Sequence, residues 1–458
     1  MLSRIKPIII VLFFIALFTP VAGQQSEEEM DDMFLNDDSS SSDSVSDSRL
    51  EVYGYLENEN IYAPVLKQVA KLEARNRTTI HAGSPFFFAH ATADAFFYPG
   101  FEGVTDPATS GSISLYELYL AMGEKVQFRV GQMVYNWGVA DAFRVVNYLD
   151  KRDLSELFFK EEDERYGGTF GAAFKVLFGD FMVEAIFVPV LNPFAFPDSD
   201  SYWGLQPATV SGQVSQYDLT NLPDNRPENF SYALRGGGTF GPVDVHLSYF
   251  HGVSNSVMFR PELKYDLTGN LQSVTASPLY HVSDKVGLDV AFTTGKLAAR
   301  GEVVYSPNHV ALVKKKFVQK SVSGTTLIME QKTAESGYFS FSTGVDYNLW
   351  GNYGTVLIEY TKSFLITTSN LENEFFSGFL MVALKDKWFN EKLEVNGAFL
   401  IRPVDEDSGY IPSVSFTWEF QDGLKLTAGY MAFIGNKDEL ISMYDEKDIF
   451  YLRARINY

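Results

Sequence analysis

No cysteine occurs anywhere in the 458 residues. That excludes disulfide staples, thiolate nucleophiles and Cys-ligated zinc. Histidine is scarce, with six residues, and none stands in an HExxH pattern. No GxSxG elbow and no GxxxxGK[ST] loop occurs either, so hydrolysis and phosphate binding have no motif to rest on. Gly236 to Gly241 fits GxGxxG, but alternating strands flank it and the helix that dinucleotide binding requires is missing. The chain therefore reads as a non-enzyme with no cofactor and no metal. Positive charge is also short, with 37 Lys and Arg against 58 Asp and Glu for a net charge of −21. Nucleic acid, which needs a basic footprint, is excluded as a partner. Past the first 18 residues there is no apolar run approaching the roughly 20 residues of a spanning helix.

What is present begins with an address. Arg4 and Lys6 precede a short apolar run from Pro7 to Phe18, and Val21-Ala22-Gly23 offers small residues for cleavage. Residues 1–23 read as a signal peptide cleaved near Gly23. Residues 24–49 hold nine acids and one base among many serines, a composition that cannot bury a core, and read as a disordered acidic tail. An exported chain without spanning helices is either soluble or a β-barrel, since a bilayer admits only helices and closed barrels. Aromatic residues make up 15% of the chain, including 39 Phe and 25 Tyr, as barrel girdles require.

From Leu50 onward the period is two. Val243, Val245, Leu247 and Tyr249 alternate with Asp244, His246 and Ser248; Val414, Phe416, Trp418 and Phe420 alternate with Ser413, Ser415, Thr417 and Glu419. The last strand sets Phe450, Leu452, Ala454, Ile456 and Tyr458 on one face and Arg453, Arg455 and Asn457 on the other. An alternating final strand ending in an aromatic is what barrel assembly machinery reads. Short links at 123–125, 178–180, 240–242, 350–352 and 421–423 interleave with long ones at about 136–165, 192–229, 253–284, 307–336 and 435–446. Barrels of the outer membrane alternate short periplasmic turns with long extracellular loops, and their strand number is even. The prediction is an all-β fold: a transmembrane antiparallel β-barrel over 50–458 with about 18 strands, or 16 in the near alternative, and long extracellular loops. Phe86 to Phe88 and Phe96 to Phe97 read as girdle residues, while Phe194 and Phe196 begin a long loop whose role stays open.

The most distinctive stretch is 115–158. It holds Glu117 and Tyr119 on one strand, then Arg129, Gly131 and Gln132, then Trp137-Gly138, Ala140-Asp141, Arg144 and Arg152-Asp153-Leu154. This stretch, with Gly54 to Asn58 and Arg300-Gly301-Glu302, resembles a family of outer-membrane barrels described only as domain of unknown function 1302. Lys151 and Asp150 stand where that family usually has Pro and Asn. The resemblance implies a barrel and a partnership with an inner-membrane exporter, hence lipid-like cargo.

The residues also speak for themselves. A turn pairing Met122 with Val126 would set Tyr119 opposite Arg129 and Glu117 opposite Gly131. Glu117 would then lie diagonal to Arg129, within ion-pair reach in the lumen. Tyr116, Leu118, Leu120, Val126, Phe128 and Val130 would face lipid. Residues 136–160 are expected to fold into the mouth, anchored by Trp137 and by pairs among Asp141, Arg144, Arg152 and Asp153. Further lumen candidates include Lys175, Glu184, Arg235, Glu359, Arg453 and Arg455. Three functions remain open: a pore for small polar solutes, a conduit for apolar cargo, and an adhesin or structural barrel with no open pore. Outer-membrane lipid and the assembly machinery are the expected partners in all three.

Overall fold

The structure is a computed structural model. It describes residues 48–458 apart from 99–110, 158, 162–163, 198–200, 205–208, 211–212, 221, 255–257, 267, 324–325, 350–353, 367–369, 373–377, 403–408 and 436–440. The signal peptide and nearly all of the acidic tail lie outside the described residues, and the first strand already includes Arg49.

Eighteen antiparallel strands close into one barrel. In chain order they are β1 (Arg49–Ala63), β2 (Gln68–Ser84), β3 (Phe87–Phe97), β4 (Gly111–Met122), β5 (Val126–Met133) and β6 (Thr169–Phe178). There follow β7 (Phe181–Val188), β8 (Ser231–Phe240), β9 (Val243–Val253), β10 (Val282–Thr294), β11 (Leu297–Ser323) and β12 (Thr326–Asn348). The wall ends with β13 (Gly354–Leu365), β14 (Gly378–Trp388), β15 (Leu393–Arg402), β16 (Gly409–Gln421), β17 (Leu424–Met431) and β18 (Ile449–Asn457). Each strand pairs with its successor, and β18 closes on β1 from Tyr55↔Asn457 to Tyr62↔Phe450.

The alternation seen in the sequence is the alternation of the wall. Leu118, Leu120, Val126, Phe128 and Val130 are exposed on the outer face, as lipid-facing side chains must be, whereas Glu57, Glu59, Arg75, Arg77, Asp94 and Arg453 are buried inside. Ring pairs such as Phe178–Phe181 and Phe181–Phe240 gather at the short-turn end. The GxGxxG run is the end of β8, entering a two-residue turn in which Gly241 takes φ +64.

Three expectations need correction. The β4–β5 register is offset by two: Met122 pairs with Phe128, Ala121 with Arg129 and Tyr119 with Gly131. Val126 and Gln127 pair only with β6, because Gly123 turns out at φ +94 and gives its N–H to the Phe86 carbonyl across the β2–β3 turn. Tyr116 does not face lipid. A bulge lets Thr92 pair with Glu117 and Ala93 with Leu115, so Tyr116 swings inward beneath the Arg77 guanidinium, 4.4 Å from its ring centre. The span at 307–336 is a continuation of β11 and β12 as a paired ribbon, and 253–284 contains a hairpin of Phe259–Asp266 and Leu271–Pro278 laid against β12.

Candidate functional site

The connection from β5 to β6, residues 134–168, turns into the barrel and crosses it. Its backbone carries many N–H groups that neither helix nor sheet satisfies, and buried amides must find acceptors. Two glutamates on the far wall supply them. Glu302 on β11 accepts from the N–H groups of Val139 and Ala140 through Oε1, at 2.5 and 2.8 Å, and from Val145 and Val146 through Oε2, at 2.7 and 3.1 Å. Glu359 on β13 accepts from Asp141, Ala142 and Phe143 at 2.7 to 3.1 Å. Both carboxylates are 1% exposed, and the seven amides hold them in place of water.

The segment also organises itself. Asp150 accepts the N–H groups of Tyr135 and Asn136, each at 2.8 Å, and the Asn147 amide at 2.9 Å. Burial pushes the Asp150 carboxyl up to about 6 from its usual 3.8. Lys151–Arg152 pair with Tyr166–Gly167, which ties the middle of the segment back to its end at β6. Trp137, 1% exposed, donates its indole N–H to Glu184 on β7 at 3.0 Å and lies under Arg235, 5.7 Å away.

On the opposite side the segment meets the seam of the barrel. Lys71 on β2 binds Glu156 at 2.5 Å while also reaching Glu59 and Glu73 at 3.0 and 3.1 Å. Arg75 pairs with Glu164, and Arg453 and Arg455 of β18 pair with Glu161. Asp94 receives both Arg75 and Arg77 at 2.9 Å. Between the segment and the β1–β4 wall remains a cavity of about 400 Å3, lined by charged groups such as Glu73, Arg77, Lys151 and Glu156. Above it, at the long-connection end, Phe159, Phe194, Phe196, Trp203, Phe433 and Tyr444 pack into an apolar cluster. Phe194 and Phe196 are thus buried in the mouth rather than offered to lipid or to a partner.

The predicted site residues fall as follows. Glu117 and Arg129 do not pair. Glu117 accepts the Val134 N–H at 2.7 Å and sits 3.6 Å from His90, while Arg129 binds Glu184 at 2.9 Å. Tyr119 stacks on His90, with ring centres 4.9 Å apart, and Gln132 caps the bulge through the carbonyls of Leu115 and Tyr116. Asp141 and Arg300 meet each other, Arg300 also meeting Asp346. Arg144 stays within the segment, bonding the Ala140 carbonyl and Asn136. Arg152 donates to the Arg144 carbonyl at 3.3 Å, and Asp153 pairs with Lys160 at 2.7 Å rather than with an arginine. Lys71, Arg75, Arg77 and Asp94 were missed, although the two-residue period places Glu73, Arg75, Arg77 and Thr79 on one face of β2.

No family model matches the chain, and no curated protein matches it. Among solved structures it is similar to a BenF-like porin from Pseudomonas fluorescens Pf-5, at TM-score 0.50 and 9% identity, over 90% of this chain and 98% of that one. It is likewise similar to OccAB1 of Acinetobacter baumannii, at TM-score 0.50 and 9% identity, over 90% of this chain and 97% of that one. At such identity the likeness is one of fold: an 18-stranded barrel of the outer-membrane porin kind.

Proposed function

We propose that this chain is an outer-membrane channel for small polar solutes, with a lumen narrowed by the inward-folded segment 134–168. The observation that carries this reading is the clasp of seven segment amides by Glu302 and Glu359, which holds a constriction in place across the barrel. The cavity left beside the segment is lined by charged pairs, a surface that water and polar solutes wet and apolar cargo does not. The mixed charge of that lining favours neither cations nor anions strongly.

A second reading, a conduit for apolar molecules handed over by an inner-membrane exporter, is motivated by the aromatic cluster at the mouth. It requires that cluster to part, whereas the polar reading requires only the segment to shift. Residues 24–458, refolded into a planar bilayer with and without the segment, separate these possibilities. A small steady conductance that grows when the segment is removed supports the constricted channel. Silence in the intact chain and conductance without the segment supports a plugged conduit. Silence in both refutes the channel and leaves the adhesin or structural barrel.

A further inference from the structure

The ribbon formed by β11 and β12 continues well past the neighbouring strands, and its ladder is broken at one place. Leu312 pairs with Thr333 and Phe317 with Gln331, so four residues of β11 stand against Lys332 alone. The bulge is fastened from behind. Val313 bridges to Leu371, Lys314 donates its backbone N–H to the Asn370 carbonyl at 2.8 Å, and Lys315 adopts φ +53. Ala311, Leu312 and Leu371 form a buried apolar base beneath it. A bulge held this firmly is a device for aiming side chains. Here it aims three consecutive lysines, Lys314, Lys315 and Lys316, into solvent, with exposed Lys332 across from them.

Among the described residues none of these four lysines has an ion-pair partner. Acids near them are already engaged: Glu262 and Glu330 by Lys320 and Arg260, and Glu372 by Gln331. Glu335 is the exposed exception on β12. The result is a fixed cationic patch on a chain whose net charge is −21.

Its height says what it can meet. Tyr305 and Phe364 are exposed on the outer face and share a rung of the ladder with half-buried Phe339, near the end of the apolar belt on this side of the barrel. Lys332 lies seven residues beyond Phe339, which at about 3.3 Å per residue and a tilt of about 40° is roughly 18 Å above the girdle. Phosphates at the bilayer surface lie below that height, and a sugar chain rising from the surface reaches it.

We propose that the bulge at Lys314–Lys316, together with Lys332, binds phosphate groups on the saccharide of the outer-leaflet glycolipid. This rests on the reading that the long-connection end faces outward. Ammonium groups act here as point charges on phosphate, without the fixed fork an arginine would bring, so the site reads charge density more than shape. It anchors the projecting ribbon in the sugar layer and is independent of what the lumen passes.

The test uses the full mature chain in detergent, rough lipopolysaccharide with a phosphorylated inner core as probe, and affinity measured by thermophoresis at several salt concentrations. The triple variant K314Q/K315Q/K316Q is expected to bind on the order of 100-fold more weakly at low salt. Wild-type affinity is expected to fall steeply as salt rises. K320Q, which removes a lysine already paired with Glu262, is expected to bind like wild type. Unchanged affinity in the triple variant, equal binding of chemically dephosphorylated lipopolysaccharide, or a loss in K320Q as large as in the triple variant would each overturn the proposal. Heat-dependent gel mobility confirms that every variant is a folded barrel.

Discussion

Replacing Glu302 by Gln tests the clasp at its strongest point. Each carboxylate oxygen of Glu302 serves two segment amides, Oε1 for Val139 and Ala140 and Oε2 for Val145 and Val146. A glutamine keeps one acceptor oxygen and turns an NH2 group toward the other two N–H donors. Two buried amides then lose their acceptor, at about 1–3 kcal/mol each, so the docked segment is weakened by about 2–6 kcal/mol. That corresponds to a rise of roughly 30-fold to 20,000-fold in the undocked fraction. The wall itself barely changes, since the backbone ladder of β11 with β10 and β12 does not involve this side chain. Single-channel recording should show longer or larger openings in E302Q than in wild type. Trypsin should cut the variant faster at Arg144, Lys151 and Arg152, while heat-dependent gel mobility stays the same. A folded E302Q with wild-type openings and wild-type proteolysis would refute the claim that this carboxylate holds the segment.

Three further outcomes follow from the same geometry. Gly138 has φ +108, and a Cβ there would lie 2.5 Å from Glu302 Oε1, so Gly138→Ala should mimic E302Q, through strain of about 1–3 kcal/mol, in the same recordings. Asp150 holds its proton more tightly when docked, at about 6, than in a free segment, where the usual value is 3.8. Docking should therefore strengthen as pH falls from about 6 toward 4 and be flat above 6, and Asp150→Asn should remove that slope in closed dwell times; a slope of opposite sign would refute the assignment. Asp94→Asn leaves Arg75 and Arg77 without their shared carboxylate and should lower barrel stability by about 3–5 kcal/mol, read as a lower temperature of the gel-mobility transition.

The barrel was legible because the two-residue period is a property of each strand alone. Leu424, Leu426 and Ala428 against Lys425 and Thr427 require no knowledge of the neighbouring strands. The β4–β5 register was not legible, since it turns on Gly123 bonding to Phe86 in an adjacent hairpin. The bulge at Tyr116 escaped for a similar reason: an alternating pattern says nothing of an extra residue. Glu302 was singled out and Glu359 was read as a lumen residue, but their use as acceptors for backbone amides was hidden. That pairing joins residues more than 150 positions apart, and the amides carry no sequence signal of their own. Phe194 and Phe196 showed the same limit, because a run of aromatic residues looks alike whether it meets lipid, a partner or its own loops.

The partners of the crossing segment also set an order of events in biogenesis. Glu161 binds Arg453 and Arg455, which in turn bind Glu59 and Glu57 on the first strand, across as many as 398 residues of chain. Tyr458 lies in the same seam, its hydroxyl 2.7 Å from Thr78 and its backbone paired with Gly54. The pairs with Glu57 and Glu59 and the Tyr458 contacts exist only once the last strand meets the first. The segment, already clasped by Glu302 and Glu359, therefore completes its hold on the seam only at closure, when Glu161 joins Glu57 and Glu59 around Arg453 and Arg455. A barrel that closed without the segment in place would leave these two arginines one carboxylate short, so completion of the wall and occupation of its interior favour one another.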